Sequence, residues 1–235
     1  GAEPSQFGQL WLPSGDGPAA VVILIHGGFW RASYGLDLME PLAHDLVRRG
    51  YAVWNIEYRR VGQPGGGYPG TLEDVAAAID SLATVAETYS LDLASAVVVG
   101  HSAGGQLALW SAGRSALTDG QPGANPTVSP RLGIGQGPVF DMRAGDSEAL
   151  GGGAVTDFIG GSFDEFADRY AVATPSTNGA PLAVVRGSED DIVPVRFTVP
   201  TPVGDVQVVE VDGDHFSLID PASEAWQAVI RLIES

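Results

Sequence analysis

Continuous apolar runs alternating with helix-period segments constrain this chain more than any other feature. "AAVVILIHGG" (19–28), "YAVWNIEYR" (51–59), "SAVVVGH" (95–101), "RLGIGQGPV" (131–139), "PLAVVRG" (181–187) and "VQVVEVDG" (206–213) read as strands. Between and after them, "LDLMEPLAHDLVRRG" (36–50), "TLEDVAAAIDSLATVAETY" (71–89), "AGGQLALWSAG" (103–113) and "ASEAWQAVIRLIES" (222–235) have helical spacing. Gly50 is placed to end the first of these, and Thr71 to cap the second. Strands without a polar face must be covered on both sides, so the fold class is α/β: a mostly parallel central sheet flanked by helices. In such sheets ligands bind beyond the carboxyl ends of the strands, so reactive residues are expected directly after them. The irregular, glycine-rich stretch 140–178 reads as a small lid-like insertion over the strand ends of a single domain spanning 1–235.

Composition removes whole classes of function. A formal charge of −17, with all 12 basic residues arginine, repels nucleic acid and anionic membrane, so neither is an expected partner. The absence of cysteine removes disulfides, thiolate zinc sites and a thiol nucleophile. The four histidines and the carboxylates show no metal-ligand spacing, so no metal or cofactor is expected. No apolar run reaches the roughly 18 residues that span a bilayer, and no basic-then-apolar leader opens the sequence. The expectation is a soluble, cytoplasmic protein; a secreted chain that has shed its leader would read the same. Oligomeric state is not legible.

The stretch "VVVGHSAGGQLALW" holds a G-x-S-x-G pattern around Ser102. In a chain with 32 glycines among 235 residues that pattern arises too easily to count alone, and its context must carry it. Ser102 sits directly after a strand and before a helix, flanked by small residues. That is what a sharp turn presenting a serine hydroxyl requires. The N–H of Ala103 would then face the site from the helix N-terminus, where negative charge is favoured.

A serine needs a base to become nucleophilic. Of His26, His44, His101 and His215, only His215 follows both the serine and a suitable acid, in "VEVDGDHFSLIDP" after the last strand. His101 is expected to project to a different side of the turn. The acid should lie between serine and histidine, and "VVRGSEDDIVP" offers Glu189, Asp190 and Asp191. Asp190, third after Gly187, is the choice, with Asp191 the alternative. "HGGFW" (26–30) follows another strand, and its glycines leave backbone N–H groups free to approach a substrate oxygen, the second half of an oxyanion hole.

Taken together and in order, "HGGFW", "GHSAGG", "GSEDDIVP" and "GDHF" resemble the α/β-hydrolase superfamily. More narrowly, with "EYRRVGQPGGGYPGTLEDV" (57–75), they are similar to small esterases and to the arylformamidase (kynurenine formamidase)-like branch. The resemblance runs from about Val21 to Asp220. It implies Ser102 as nucleophile, Asp190 as acid and His215 as base, with the N–H groups of Gly28, Phe29 and Ala103 as oxyanion donors. The family's helix after the acid turn is in question here, because "PVRFTVPTPVGD" carries Pro194, Pro200 and Pro202.

The function so implied is a serine-dependent, carboxylesterase-like hydrolase of small carboxylic esters, acting on a small-molecule acyl substrate. The alternative is amide hydrolysis of an N-formylkynurenine-like substrate, and a non-catalytic binding member of the fold ranks below both. Trp30 and Phe216 are the candidate substrate-binding residues, with Phe140, Phe158 and Phe163 as further candidates for the lining.

Overall fold

The structure is a computed structural model that describes residues 1–15, 17–200 and 204–235. Among the described residues seven strands form one sheet: β1 (Gly8–Trp11), β2 (Ala19–Ile25), β3 (Ala52–Ile56), β4 (Leu91–His101), β5 (Leu132–Gln136), β6 (Leu182–Gly187) and β7 (Val206–Val211). Their order is β1-β3-β2-β4-β5-β6-β7, and all pairings are parallel except the antiparallel one of β1 on β3. β1 has four half-buried residues, too few to show a periodicity in the sequence.

The helices are α1 (Glu40–Arg48), α2 (Gly70–Asp80), α3 (Leu82–Val85), α4 (Ala103–Ala112), α5 (Met142–Ser147), α6 (Leu150–Ile159), α7 (Phe163–Ala173) and α8 (Glu224–Glu234). They cover both faces of the sheet. On one face, side chains of α2, α4, α6 and α7 pack with Ile23, Ile25, Val98 and Val184. On the other, Leu42 and Leu46 of α1 and Trp226, Val229 and Ile233 of α8 pack with Val22, Leu24, Val97 and Val185. The strands are therefore apolar on both sides because both sides are core.

Local chemistry sets the helix ends. α1 stops as expected before Gly50, whose φ of 93° suits a residue without Cβ. The Ser223 hydroxyl accepts the Trp226 N–H and caps α8. Thr71 does not cap α2. The helix starts one residue earlier, after Pro69, and the Thr71 hydroxyl donates to the Arg59 carbonyl (2.5 Å) while accepting the Gly67 N–H (3.0 Å). Every residue of α4 is buried, which explains a helix with no polar stripe. Segment 140–178 folds as α5, α6 and α7 and contributes Leu150, Val155, Phe158, Ile159 and Tyr170 to the core. Among the described residues between the acid turn and β7 the chain makes one 3-10 turn, Val195–Phe197, with Pro194 ahead of it; Pro202 lies outside the described residues.

Register fixes where the site lies. Ile25 of β2 pairs with Gly100 of β4, and His101 of β4 pairs with Gln136 of β5. The loop after β2 and the turn after β4 thus leave the sheet side by side at its carboxyl edge. Among the described residues no helix is long and apolar enough to cross a membrane.

Candidate active site

Ser102 is the single residue between β4 and α4, with φ 57° and ψ −121°. A non-glycine residue holds such a conformation only when its surroundings over-determine it, and here they do. The Ser102 N–H donates to the Gln136 carbonyl at 2.8 Å. A Cβ on Gly100 would stand 2.0 Å from the Gly104 carbonyl oxygen, and one on Gly104 would stand 2.2 Å from that of His26. The small residues around the serine are therefore a steric requirement: the turn, α4 and the end of β2 touch through backbone. Ser102 itself is 2 % exposed.

The acid turn follows β6. Asp190 is buried, and its Oδ1 accepts the N–H groups of Ile192 (3.0 Å) and Val193 (2.8 Å), which fixes the carboxylate plane. Its Oδ2 lies 2.6 Å from His215 Nδ1. A carboxylate only accepts, so Nδ1 carries the hydrogen, and in the neutral imidazole the lone pair is then on Nε2. Asp191 and Glu189 are exposed. Ser102 and His215 line one cavity of about 80 Å³ together with Gly28, Phe29, Tyr34, Leu38, His101, Ile192 and Phe216. Among the described residues the Ser102 hydroxyl has no hydrogen-bond partner, so the serine–histidine contact is open in this structure. Such contacts commonly tighten only when substrate binds.

The loop after β2 forms the opposite wall. Gly28 has φ 111°, and Phe29 and Trp30 have φ 53° and 54°. Among the described residues the N–H groups of Gly28, Phe29 and Ala103 donate to no protein acceptor, which leaves all three free for a ligand oxygen. A buried network stands behind this loop. The Tyr58 hydroxyl donates to the His26 carbonyl at 2.7 Å, and the Tyr58 ring stacks on the His26 imidazole at 4.4 Å. His26 Nε2 meets Glu57 Oε1 at 2.9 Å. The Glu57 carboxylate also accepts the N–H groups of Tyr58 and Leu36 and pairs with Arg60 at 3.2 Å. Burial alone would raise the pKa of Glu57, but these partners, His26 foremost, hold it below the usual glutamate range.

Two expectations need revision. Trp30 does not reach the cavity. It is fully buried, its indole N–H donates to Gln106 Oε1 at 3.0 Å, and its ring stacks on Phe158 at 4.7 Å. The positive φ at Phe29 and Trp30 turns the indole inward, away from the surface that Phe29 lines. Phe140 and Phe158 are likewise core, and Phe163 is absent from the lining. Phe216 does stand at the cavity, half exposed, opposite Tyr34.

His101 is closer to the chemistry than its sequence position suggested. Its Nε2–H donates to the His215 backbone carbonyl at 2.9 Å, and the two imidazoles lie 4.4 Å apart. Burial, reinforced by the neighbouring His215, pushes its pKa down to about 3, so it is neutral at ordinary pH and acts as a fixed donor. Sequence reasoning also missed Tyr34, Leu38 and Ile192; only their places after strands or beside the motifs marked them. Among the described residues no cluster of histidine and carboxylate side chains could hold a metal ion.

The seven-stranded sheet with Ser102, Asp190 and His215 at its carboxyl edge has many structural relatives. Esterase B from Lactobacillus rhamnosis, solved with a tributyrin phosphonate inhibitor, superposes with a TM-score of 0.80 at 21 % identity, covering 100 % of this chain and 82 % of its own. The acetyl ester-xyloside bifunctional hydrolase of Caldicellulosiruptor lactoaceticus gives 0.73 at 19 % identity, covering 99 % and 88 %. A bifunctional GH43-CE protein of Bacteroides eggerthii gives 0.75 at 22 % identity over 96 % of this chain, which spans only 35 % of that larger protein. At these identities the likeness establishes the α/β-hydrolase fold. No curated protein matches the sequence. The BD-FAE family profile matches residues 9–199, from the edge strand through the serine turn to just past the acid turn. The chain therefore belongs to the BD-FAE family, on an α/β-hydrolase fold.

Proposed function

We propose that this protein hydrolyses small carboxylic esters through an acyl-enzyme on Ser102. The observation that carries the reading is the buried Asp190–His215 pair beside a serine held at positive φ on a strand-to-helix turn. His215 Nε2 takes the Ser102 proton as Oγ attacks the ester carbonyl, and Asp190 stabilises the imidazolium that forms. The N–H groups of Gly28, Phe29 and Ala103 receive the oxyanion. His215 then returns the proton to the leaving alkoxide, and the same base activates the water that releases the acid.

Cavity size and lining narrow the substrate. At about 80 Å³ the cavity is far below the roughly 300–1,000 Å³ of drug-sized sites, which favours a short acyl group. No arginine lines it, so an uncharged acyl group is favoured as well. The solved relatives include proteins described as esterases and as an acetyl ester-xyloside hydrolase, which supports ester over amide. The test is turnover of p-nitrophenyl acetate, p-nitrophenyl octanoate and N-formylkynurenine by the wild type and by Ser102→Ala. The reading expects acetate to be fastest and Ser102→Ala to be inactive while still folded. Preferential turnover of N-formylkynurenine would transfer the same machinery to the formamidase reaction, and retained turnover by Ser102→Ala would end both readings.

A further inference from the structure

Three consecutive residues of the loop after β2 are each held by α6, a segment far away in sequence. Ala149, Gly151, Gly152 and Gly153 have φ of 50°, 61°, 68° and 82°, so α6 opens with a left-handed turn. The N–H groups of Gly152 and Gly153 close it on the Ala149 carbonyl at 3.0 and 3.1 Å. Only glycine adopts such a run without penalty, and it turns the Gly151 and Gly152 carbonyls toward Arg31. The Arg31 guanidinium takes both, at 2.9 and 3.3 Å, and pairs with Asp157 at 3.0 Å. One residue earlier, the Trp30 indole stacks on Phe158 of α6. One earlier still, the Phe29 ring lies against Gly151: a Cβ there would stand 2.6–2.8 Å from three of its ring carbons.

Phe29 and Trp30 are both non-glycine residues at positive φ, a conformation that persists only under external constraint. The constraints on them lie on two sides. Behind the loop, the Val61 N–H donates to the Trp30 carbonyl at 2.7 Å. In front stand the ring, indole and guanidinium contacts with α6. We infer that Gly151, packed on Phe29 and clamped with Gly152 by Arg31, sets the position of the Phe29 N–H, making Gly151 and Arg31 positioning residues for the oxyanion hole. This inference rests on the proposed ester hydrolysis for its catalytic consequence, but not for its geometry. On this account α6 is a fixed buttress for the oxyanion loop.

The experiment compares Gly151→Ala with Gly153→Ala. Both substitutions put a side chain on left-handed backbone, but a Cβ on Gly153 meets nothing within 4 Å, whereas one on Gly151 strikes Phe29. Arg31→Met, which keeps the stem and loses the fork, and Arg31→Lys, which can hold one carbonyl, form a second series should Gly151→Ala fold poorly. Two readouts are taken: kcat and KM for a short p-nitrophenyl ester, and backbone hydrogen exchange of segment 26–33. Loss of one oxyanion donor lowers kcat about 10²–10³-fold, and displacement rather than loss should lower it roughly 10–100-fold. That fall is expected for Gly151→Ala and Arg31→Met with KM nearly unchanged, and Arg31→Lys should fall between. Gly153→Ala should stay within about threefold of wild type. Exchange of 26–33 should quicken in Gly151→Ala and Arg31→Met but not in Gly153→Ala. Equal kcat and equal exchange in the Gly151 and Gly153 variants would overturn the inference. If the exchange pattern appears while the wild type turns over no ester, the positioning stands and the proposed reaction fails.

Discussion

His101 should make this protein unusually sensitive to mild acid. In the unfolded chain its imidazole takes a proton near pH 6.5; in the fold, burial first and His215 second lower that to about 3. Between these values the unfolded state binds a proton that the native state refuses, so stability falls as pH falls from 6.5 and the loss levels off near 3. The loss per pH unit is about half of 1.4 kcal/mol at pH 6.5 and approaches 1.4 kcal/mol below it, so moving from pH 6.5 to 4.5 removes about 2 kcal/mol. For a domain with roughly 5–15 kcal/mol of total stability that is a large fraction. The comparison is with His101→Gln, which keeps an N–H donor for the His215 carbonyl and removes the titration. Urea unfolding at pH 6.5, 5.5 and 4.5 gives both curves. Glu57 and Asp74, whose pKa values are also lowered, lose stabilising charge only at lower pH and do so in both proteins, so they cancel in the difference. The wild type should lose about 2 kcal/mol more than the variant over the two units. Parallel curves would refute the reasoning, because they would mean that His101 is protonated as easily in the fold as outside it.

Other outcomes follow from the same contacts. Asp190→Asn keeps an oxygen for the Ile192 and Val193 amides but turns an amide nitrogen toward His215 Nδ1; this imposes the wrong tautomer and should lower kcat about 10⁴-fold. Steady-state rates should show Asp191→Asn within about threefold of wild type, and the reverse result would reassign the acid. Gly104→Ala would press a methyl onto the Ile25 and His26 carbonyls and should give no soluble folded protein, as read by expression and circular dichroism. Trp30→Phe loses the bond to Gln106 in the core and should lower Tm while leaving KM for a short ester within about twofold; a large KM change would return Trp30 to the substrate site.

What the sequence disclosed, and what it withheld, follows from how each feature is encoded. The central strands were legible because residues such as Val22, Ile23, Val97 and Val98 are apolar on both faces, and only a doubly covered sheet accommodates that. The meeting of Asp190 with His215 was legible from chain order and from their places after β6 and β7. Trp30 was misplaced because its direction depends on the sign of φ at two non-glycine residues, which no periodicity reports. Thr71 has the composition of a cap, but Pro69 and Gly67 bring the chain in so that its hydroxyl meets Arg59 instead. The glycine run 151–153 read as irregular chain. Its left-handed turn takes meaning only from Phe29 and Arg31, about 120 residues away. Tyr34 and Ile192 reach the cavity from loops, whose paths are set by tertiary contacts.

The central claim is that the Ser102 hydroxyl is the nucleophile, and covalent labelling tests it most directly. The protein is incubated with a short-chain alkyl phosphonate, its intact mass measured, and the labelled peptide sequenced. The account predicts one adduct per chain, on Ser102, with turnover of p-nitrophenyl acetate lost in proportion and no adduct on Ser102→Ala. An adduct on another side chain, or ester turnover that survives complete labelling of Ser102, would contradict it.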